Sequence, residues 1–171
     1  MCVLTRDEIE RELASGRLRI EPFDRDQIGP ASIDLHLGHE IRALPRAHDG
    51  PIHVLEDTPS PPDTEVIEID GFYVLEPGQT VLGLTRERLY LPPDLCAWIE
   101  GRSRIARLGL TVHVTSGFVQ PGVANHQVLE LSNVAGVPLA LHAGIRVCQI
   151  VLERTQGEAV YRGRFVDQDS P

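Results

Sequence analysis

The chain has 171 residues and a formal net charge of −9, and 42% of its residues are hydrophobic. This length fits one domain with a sizeable core, which we place at residues 1–171. The acidic balance disfavours binding to a nucleic acid polymer, because phosphate backbones attract basic proteins. No run approaches the roughly 18 apolar residues of a membrane span, and the acidic first residues are unlike a secretory signal. We therefore expect a cytoplasmic protein that binds neither a membrane nor a nucleic acid polymer.

The cysteines and histidines do not follow the spacing of a disulfide framework or a zinc site. The three cysteines, Cys2, Cys96 and Cys148, are odd in number and form no C-x-x-C pair. None of the seven histidines belongs to an H-E-x-x-H or H-x-E signature. Any hydrolysis is therefore expected to proceed without a zinc-bound water, and no metal ligands are predicted.

The first predicted element is a short helix after Thr5, where T-R-D-E forms a capping-box pattern and Gly16 is placed to end the helix. Beyond it, 15 glycines and 13 prolines in all punctuate the chain, and short runs rich in Val, Ile and Leu lie between them, which is typical of β-strands. The predicted strands are Ser32–Leu37, Glu40–Leu44, Val66–Ile69, Tyr73–Leu75, Thr80–Leu84, Ala97–Glu100, Leu110–Val114, Gln127–Ser132, Leu139–Leu141 and Val147–Glu153.

Two segments are predicted to lack regular structure. Pro45–Asp63 holds five prolines and several acidic residues, which indicates an exposed loop. After Glu153 the chain becomes polar, and we predict a mobile C-terminal tail or lid at about residues 154–171. Many short strands separated by turn signals predict an all-β sandwich or barrel.

The segment Glu100–Gly109 reads E-G-R-S-R-I-A-R-L-G, with three arginines and a serine between two glycines. Such a loop can turn backbone N–H groups and guanidinium groups toward phosphate oxygens, which predicts an anion site. The alternative is a solvated basic turn or a short helix with an arginine face, because charge runs are usually exposed. Composition alone favours this alternative.

Glu130 lies within the apolar run H-Q-V-L-E-L-S-N-V. Partial burial of a carboxylate raises its pKa, which suits proton transfer near neutral pH. The alternative is that Val128, Glu130 and Ser132 share a solvent-exposed strand face. A third feature, Thr115–Gly122, holds two hydroxyl side chains, two glycines and a proline, which is typical of a tight loop that lines a pocket or closes an ordinary hairpin.

Three long segments resemble the dCTP deaminase family of the dCTP deaminase/dUTPase superfamily. IEPFDRDQIGPASIDLHLG is similar to the family's N-terminal block, which carries PF, then PAS, then D-x-R-L-G. LEPGQTVLGLTRERLYLPPDLCAWIEGRSRIARLGLTVHVTSGFVQPG follows the family almost continuously, including the PG turn and the basic GRS motif. VLELSNVAGVPLALHAGIRVCQI is similar to its LEL-x-N strand. The resemblance runs in collinear order from about Thr5 to Glu153.

The resemblance implies an all-β fold, a distorted β-barrel or jelly roll of the dUTPase-like (β-clip) type, in a homotrimer whose active sites lie between subunits. It implies hydrolysis of dCTP to dUTP and ammonia, without zinc, by a glutamate that moves protons. It also implies Mg²⁺ bound through the substrate triphosphate. The expected partners are a deoxycytidine nucleotide and two further copies of the chain.

The resemblance also gives each site residue a role. Glu130 is the expected catalytic carboxylate, and Arg107 is expected to pair with it and orient it. Ser103, with a backbone carbonyl near Thr115 or Ser116, would hold the attacking water. The residues expected to contact the substrate, with the first three holding the triphosphate, are Arg102, Ser103, Arg104, Arg107, Thr115, Ser116, Gln120, Val128, Leu129, Gln149 and Tyr161.

Several positions depart from the family pattern. They are Gln120 for aspartate, Val123 for an aromatic residue, Asn125 for glycine, Arg104 for serine, Cys148 for glycine and His36 for arginine. Of the C-terminal lid pattern, only Tyr161–Arg164 is similar. An amide at position 120 cannot accept a proton from the water that attacks phosphorus in dUTPases, so these departures favour deamination.

Two alternatives stay open. One is a bifunctional dCTP deaminase/dUTPase or a dUTPase, which Gln149 favours because bifunctional members keep a glutamine there. The other is a catalytically weak, nucleotide-binding trimeric paralogue.

Overall fold

The structure is a computed structural model that describes residues 2–44, 50, 53, 64–113, 115–163 and 166. The predicted loop Pro45–Asp63 therefore lies outside the described residues, apart from Gly50 and His53. The helices are α1 (Arg6–Ala14) and α2 (Ser103–Ala106), with a 3₁₀ turn at Arg25–Gln27. The strands are β1 (Arg19–Glu21), β2 (Ile33–Ala43), β3 (Glu65–Glu68), β4 (Tyr73–Leu75), β5 (Thr80–Tyr90), β6 (Leu95–Gly101), β7 (Leu110–Val112), β8 (Phe118–Val119), β9 (Ala124–Asn133), β10 (Leu139–Leu141) and β11 (Arg146–Arg154).

Nine of these strands form one antiparallel sheet. Its order is β7–β9–β5–β2–β11–β6–β8, with β1 beside β5 and β3 beside β2, while β4 and β10 form a separate pair. β7 and β8 end the series, so each pairs with a single neighbour among the described strands. The predicted all-β class with a short N-terminal helix is confirmed.

The core lies on one face of this curled sheet. β5 alternates along its whole length between buried and half-buried residues, as a strand with one covered face must. Its inward residues, such as Val81 and Leu89, pack with Leu35 of β2 and Leu129 of β9. The opposite, outward face of β5 and β9 is free to carry polar chemistry, and Glu130 lies there.

β5 extends well beyond its predicted end, and β2 replaces two predicted strands. β5 continues past Leu84 to Tyr90 although Glu87 falls within it. Glu87 is fully buried, accepts a hydrogen bond from the His36 backbone N–H at 2.8 Å and lies 2.5 Å from His36 Nδ1, so its charge is met inside the sheet. The two predicted strands around Gly38 are one strand, β2, because that glycine lets β2 pass β5 closely: a Cβ there would lie 2.9 Å from the Leu84 carbonyl oxygen.

The predicted helix is present, but its predicted capping box is wrong. Thr5 is the N-cap residue and makes no side-chain capping bond. The chain enters the helix through tertiary contacts instead, since the Arg6 N–H donates to the Pro30 carbonyl at 2.8 Å. The helix ends before Gly16, which has a φ of +73° as expected for a left-handed C-terminal residue. Among the described residues, no helix is long and apolar enough to cross a membrane.

The described part of the predicted tail follows a defined course. The backbone N–H groups of Thr155, Ala159 and Tyr161 donate to the carbonyls of Asp94, Pro93 and Pro121 at 2.9–3.0 Å. These bonds carry Tyr161 to the outward face of the sheet. Residues 164, 165 and 167–171 lie outside the described part, so the predicted mobility stays a prediction.

Candidate active site

Two open cavities differ in the chemistry of their walls. One, of about 790 Å³, lies between α1 and β1 and combines an apolar floor that includes Leu13, Leu18 and Phe23 with a rim of charged side chains, most of them exposed to solvent. The other, of about 440 Å³, lies on the outward face of β9 and combines apolar walls with Glu130 and His113. Binding sites typically join an apolar pocket to a few convergent polar groups. The second cavity is therefore the candidate active site, and we call it the Glu130 pocket.

The alternation of β9 places Glu130 in this pocket. Leu129 and Leu131 point inward and are fully buried, so Glu130 between them points outward, opposite Leu82 of β5. Its side chain is 34% exposed. The same alternation turns the Leu129 side chain into the core, and the expected substrate contact of Leu129 stays a prediction.

His113 holds the Glu130 carboxylate. β7 pairs with β9 and ends at Val112, and the next residue, His113, has a φ of +54°, which is rare for a residue other than glycine. Its backbone N–H donates to the Glu130 carbonyl at 3.0 Å, and its Nδ1 lies 2.7 Å from Glu130 Oε2. Its Nε2 lies 2.8 Å from the Ser116 carbonyl oxygen. Both ring nitrogens thus face oxygen acceptors, an environment that favours the protonated imidazolium.

The ion pair shifts both titrations. The contact with His113 holds the pKa of Glu130 below its ordinary value of 4.5 and outweighs burial, which acts in the opposite direction. Burial by itself lowers the pKa of His113, but the Glu130 carboxylate and the Ser116 carbonyl outweigh it, so that pKa is raised above 6.5. The expectation that partial burial raises the pKa of Glu130 is therefore wrong, because a cationic partner lies against the carboxylate.

Sequence reasoning missed His113. It stands in T-V-H-V, which reads as an ordinary strand, and its role depends on the pairing of β7 with β9, which has no local signal. The expected partner of Glu130 was Arg107, and the described chain has no ion pair between the two. The expected pairing of Arg107 with Glu130 therefore stays a prediction.

The remaining predicted contacts divide into two groups. Ser116, Gln120, Val128 and Tyr161 line the Glu130 pocket. Further pocket residues that the sequence did not single out for substrate contact are Phe118, Val123, Asn125, His126 and Gln127. Thr115 is exposed and is not part of the lining.

The second group lies in and beside residues 102–107, which we call the arginine loop. Ser103–Ala106 form the single turn of α2, and Arg104 and Arg107 are exposed, so a short helix is present here, while the predicted anion site stays a prediction. None of these residues lines the Glu130 pocket, and neither does Gln149, whose Nε2 donates to the Gly101 carbonyl at 3.4 Å. Within one chain, the predicted acid–base residue, Glu130, and the predicted phosphate-binding residues therefore lie at separate places.

Comparison with known proteins places the chain in a family. The sequence model of dCTP deaminase-like proteins matches residues 3–155. The chain is 38% identical over 181 residues to a "dCTP deaminase, dUMP-forming" of Parafrankia sp., covering 99% of this chain and 88% of the relative. It is 40% identical over 161 residues to a "dCTP deaminase" of Natronomonas pharaonis, covering 92% of this chain and 83% of the relative.

Solved structures show the same fold. The 2'-deoxycytidine 5'-triphosphate deaminase of Agrobacterium tumefaciens is similar with a TM-score of 0.70 and 25% identity over 90% of this chain, which spans only 48% of the Agrobacterium chain. A mutant dUTPase of Staphylococcus aureus phage phi11 is similar in fold, with a TM-score of 0.55 at 11% identity, covering 86% of this chain and 96% of that one. The expected dUTPase-like jelly-roll fold is thus confirmed, and the match over nearly the whole sequence shows that this chain belongs to the dCTP deaminase-like family of enzymes.

Proposed function

We propose that this chain hydrolyses the bond between C4 and the amino group of the cytosine in dCTP, releasing dUTP and ammonia. The observation that carries the proposal is the 2.7 Å ion pair of Glu130 and His113 inside a pocket. The names of the curated relatives supply the substrate class, since they specify dCTP.

Glu130 would move every proton of the reaction. Ionised Glu130 takes a proton from water as the water oxygen bonds to C4, and then gives that proton to ring N3. It next takes the proton of the new C4 hydroxyl and passes it to the amino nitrogen, which leaves as ammonia while C4 becomes a carbonyl. One carboxylate suits this sequence if it is held rigidly beside the ring.

His113 would keep Glu130 ready for the first step. A carboxylate whose pKa lies below 4.5 is ionised throughout the neutral range. The same pairing makes Glu130 a weak base, so a proton that it accepts passes on easily. His113 is itself fixed by the Ser116 carbonyl, and the dyad therefore holds its geometry before a substrate arrives.

The arginine loop would bind the triphosphate of a nucleotide whose base lies in the pocket of a neighbouring copy. Arg104 and Arg107 are exposed and lie outside the Glu130 pocket of their own chain. β7 has no second partner among the described strands. Near it, Leu108 is 60% exposed, and Val134, whose N–H donates to the Gly109 carbonyl, is 70% exposed. Exposed apolar residues next to a free strand edge are typical of a subunit interface. These features support a homotrimer with shared sites, which static light scattering tests: a stable monomer at micromolar concentration would contradict it.

Magnesium would enter this reaction as the counter-ion of the triphosphate. Among the residues that the structure describes, no three His, Cys, Asp or Glu side chains gather into a metal site. We assign the chain no metal ligands and no step that passes through the ion. Titration of dCTP turnover against magnesium concentration tests whether the magnesium complex is the substrate.

Release of pyrophosphate in addition, giving dUMP, is the second candidate function. The Parafrankia relative is named as dUMP-forming, which favours it. Gln120 speaks against it, since this pocket residue carries an amide that cannot take a proton from a water attacking phosphorus.

One experiment separates the candidates. The protein is incubated with dCTP and magnesium, and dUTP, dUMP, ammonia and pyrophosphate are resolved over time. Accumulation of dUTP and ammonia supports deamination alone, while dUMP and pyrophosphate support the bifunctional reaction. Absence of all four products, with dCTP still bound, would overturn both and leave a nucleotide-binding trimer.

A further inference from the structure

Arg102 differs from the other two arginines of the loop in being held by its own chain. Its Nη2 lies 3.1 Å from Asp34 Oδ2, and its Nη1 donates to the Arg146 carbonyl at 3.2 Å. Asp34 is nearly buried, with 16% of its side chain exposed. In contrast, Arg104 and Arg107 are exposed and make no ion pair with any described residue. The loop therefore has one arginine held by an ion pair and two without an ion-pair partner among the described residues.

The two partners of Arg102 lie on neighbouring strands, Asp34 on β2 and Arg146 on β11. β2 and β11 shift register between Arg146 and Cys148, and such a bulge leaves a carbonyl outside the regular ladder. Arg146 borders this bulge, and its carbonyl accepts the hydrogen bond from Arg102 Nη1. The Arg146 side chain turns back to the same carboxylate, with Nη1 3.6 Å from Asp34 Oδ2, and also pairs with Asp26.

Gln149, the residue opposite Asp34, holds Gly101, which directly precedes Arg102. Asp34 of β2 pairs with Gln149 of β11, and the Gln149 amide donates to the Gly101 carbonyl at 3.4 Å. Asp34 and Gln149, which face each other on β2 and β11, thus hold two consecutive residues, Arg102 and Gly101, where β6 ends and α2 begins. Because α2 has a single turn, the positions of Arg104 and Arg107 depend on where this start is held.

We propose that Asp34 is a positioning residue for phosphate binding. It holds Arg102 against the sheet, and thereby aims the free guanidinium groups of Arg104 and Arg107 at the triphosphate. The inference rests on the proposed function in one respect, that the arginine loop binds the substrate's phosphates. It adds that a carboxylate, which would itself repel phosphate, favours phosphate binding through the arginine that it fixes.

The test compares Asp34→Asn with the parent. We expect the KM for dCTP to rise about tenfold, within the coupling found for contacting residues, with kcat within about twofold of the parent. Inorganic triphosphate, titrated by calorimetry, should lose affinity in the same proportion, because it has no base to contact the Glu130 pocket. Asp34→Glu keeps the charge and should recover part of both losses, and it also serves as the test variant should Asp34→Asn fail to fold.

A matched control removes another acidic partner of arginine. Asp94 pairs with Arg17 at 2.6 Å and with Arg154 at 3.5 Å, outside the arginine loop. Asp94→Asn should leave the KM for dCTP and the affinity for inorganic triphosphate unchanged. An equal loss in this control would mean that the effect is general destabilisation, and would overturn the proposal.

A double variant decides whether Asp34 acts through Arg102. If it does, adding Asp34→Asn to Arg102→Ala weakens triphosphate binding no further, whereas independent roles give losses that multiply. Multiplied losses, or an unchanged affinity in Asp34→Asn, would overturn the proposal. Calorimetry with inorganic triphosphate needs no turnover, so a parent that fails to deaminate dCTP would sink the proposed function and leave this measurement intact.

Discussion

The Glu130 pocket and the arginine loop differ in how far one chain completes them. Glu130 lies on a central strand, its carboxylate meets His113 at 2.7 Å, and His113 is fixed in turn by Ser116. Arg104 and Arg107 lie on a single helical turn beside the terminal strand β7, exposed and without a described ion-pair partner. Within one chain, the first region has an ion-pair partner for its charged group, and the two exposed arginines of the second have none among the described residues.

This difference follows from what each region has to do. A group that exchanges protons needs a fixed environment, because its pKa is set by burial and by its neighbours. A cationic group binds phosphate most strongly if it is not already paired with a carboxylate of its own chain. Arg102 is the exception, since it is paired, and that is why we infer an anchoring role for it. The predictions below test whether the two regions act separately, as their surroundings suggest.

The largest effect is expected at Glu130. Glu130→Gln keeps the shape of the side chain but cannot take a proton from water, so turnover of dCTP should fall by about 10²–10⁴-fold. Affinity for dCTP should stay near that of the parent, because the proposed phosphate site, the arginine loop, lies outside the Glu130 pocket. Single-turnover kinetics and calorimetry on one preparation measure both. Turnover within a few fold of the parent would remove Glu130 from the mechanism.

The next largest effect is expected at Arg107, and it should appear in affinity. Arg107→Ala removes a charged hydrogen-bond donor to phosphate, which is worth about 1.5–3 kcal/mol, or roughly 10- to 150-fold in Kd. Inorganic triphosphate should lose affinity together with dCTP. A fall in turnover at unchanged affinity would instead support the expected pairing of Arg107 with Glu130 across subunits.

Mixing the two variants tests whether the regions come from different copies. Glu130→Gln and Arg107→Ala subunits are unfolded together, refolded as a mixture and assayed with dCTP. In randomly mixed trimers, about a quarter of shared sites would combine an intact Glu130 with an intact Arg107 from a neighbour. Recovery toward that fraction supports shared sites, while a mixture no more active than its components places both groups in one chain.

A smaller effect, visible in the pH dependence, is expected at His113. In the parent, His113 lowers the pKa of Glu130. Glutamine carries no charge, so in His113→Gln only burial would act on this pKa, and burial raises it. The acidic limb of the pH–rate profile, which lies below pH 4.5 in the parent, should move to higher pH. His113→Ala should move it in the same direction. An unmoved limb would show that the ion pair does not set the protonation of the catalytic group.

The same pair predicts how stability depends on pH. The raised pKa of His113 means that its contribution is complete below pH 6.5 and is lost as the pH rises through the raised value. The lowered pKa of Glu130 means that its contribution is complete above pH 4.5 and is lost as the pH falls through the lowered value. The difference in melting temperature between the parent and His113→Gln should therefore be largest between these two pH values.

The sequence predicts the arginine loop better than the Glu130 pocket. The arginine loop is a contiguous motif, and its alternative description as a short exposed helix needs only local residues. Glu130 also stands out locally, as a charge among leucines and valines. His113 and Asp34 do not, because each acts through residues distant in the chain: His113 through the pairing of β7 with β9, and Asp34 through the row that joins β2, β11 and β6. Glu87 shows the same limit, since its partner His36 lies 51 positions away.

The smallest effect is expected at Glu12, which lies outside both regions. Its buried carboxylate accepts a hydrogen bond from Arg17 Nε at 2.9 Å and pairs with Arg154, which ties α1 to the end of β11. Burial by itself raises the pKa of Glu12, but Arg154 and Arg17 outweigh it, so that pKa lies below 4.5. Its stabilisation is therefore complete above pH 4.5 and is lost as the pH falls through the lowered value.

Glu12→Gln should lower the free energy of unfolding by about 1 kcal/mol at pH 7, since both arginines are partly exposed. The difference from the parent should shrink when denaturant unfolding is repeated at pH 3. Turnover of dCTP and affinity for inorganic triphosphate should match the parent, because Glu12 contacts neither the Glu130 pocket nor the arginine loop. A loss of turnover or of affinity would mean that weakening a distant ion pair disturbs the site. The effects expected at Glu130, Arg107 and His113 could then not be attributed to the contacts of those residues.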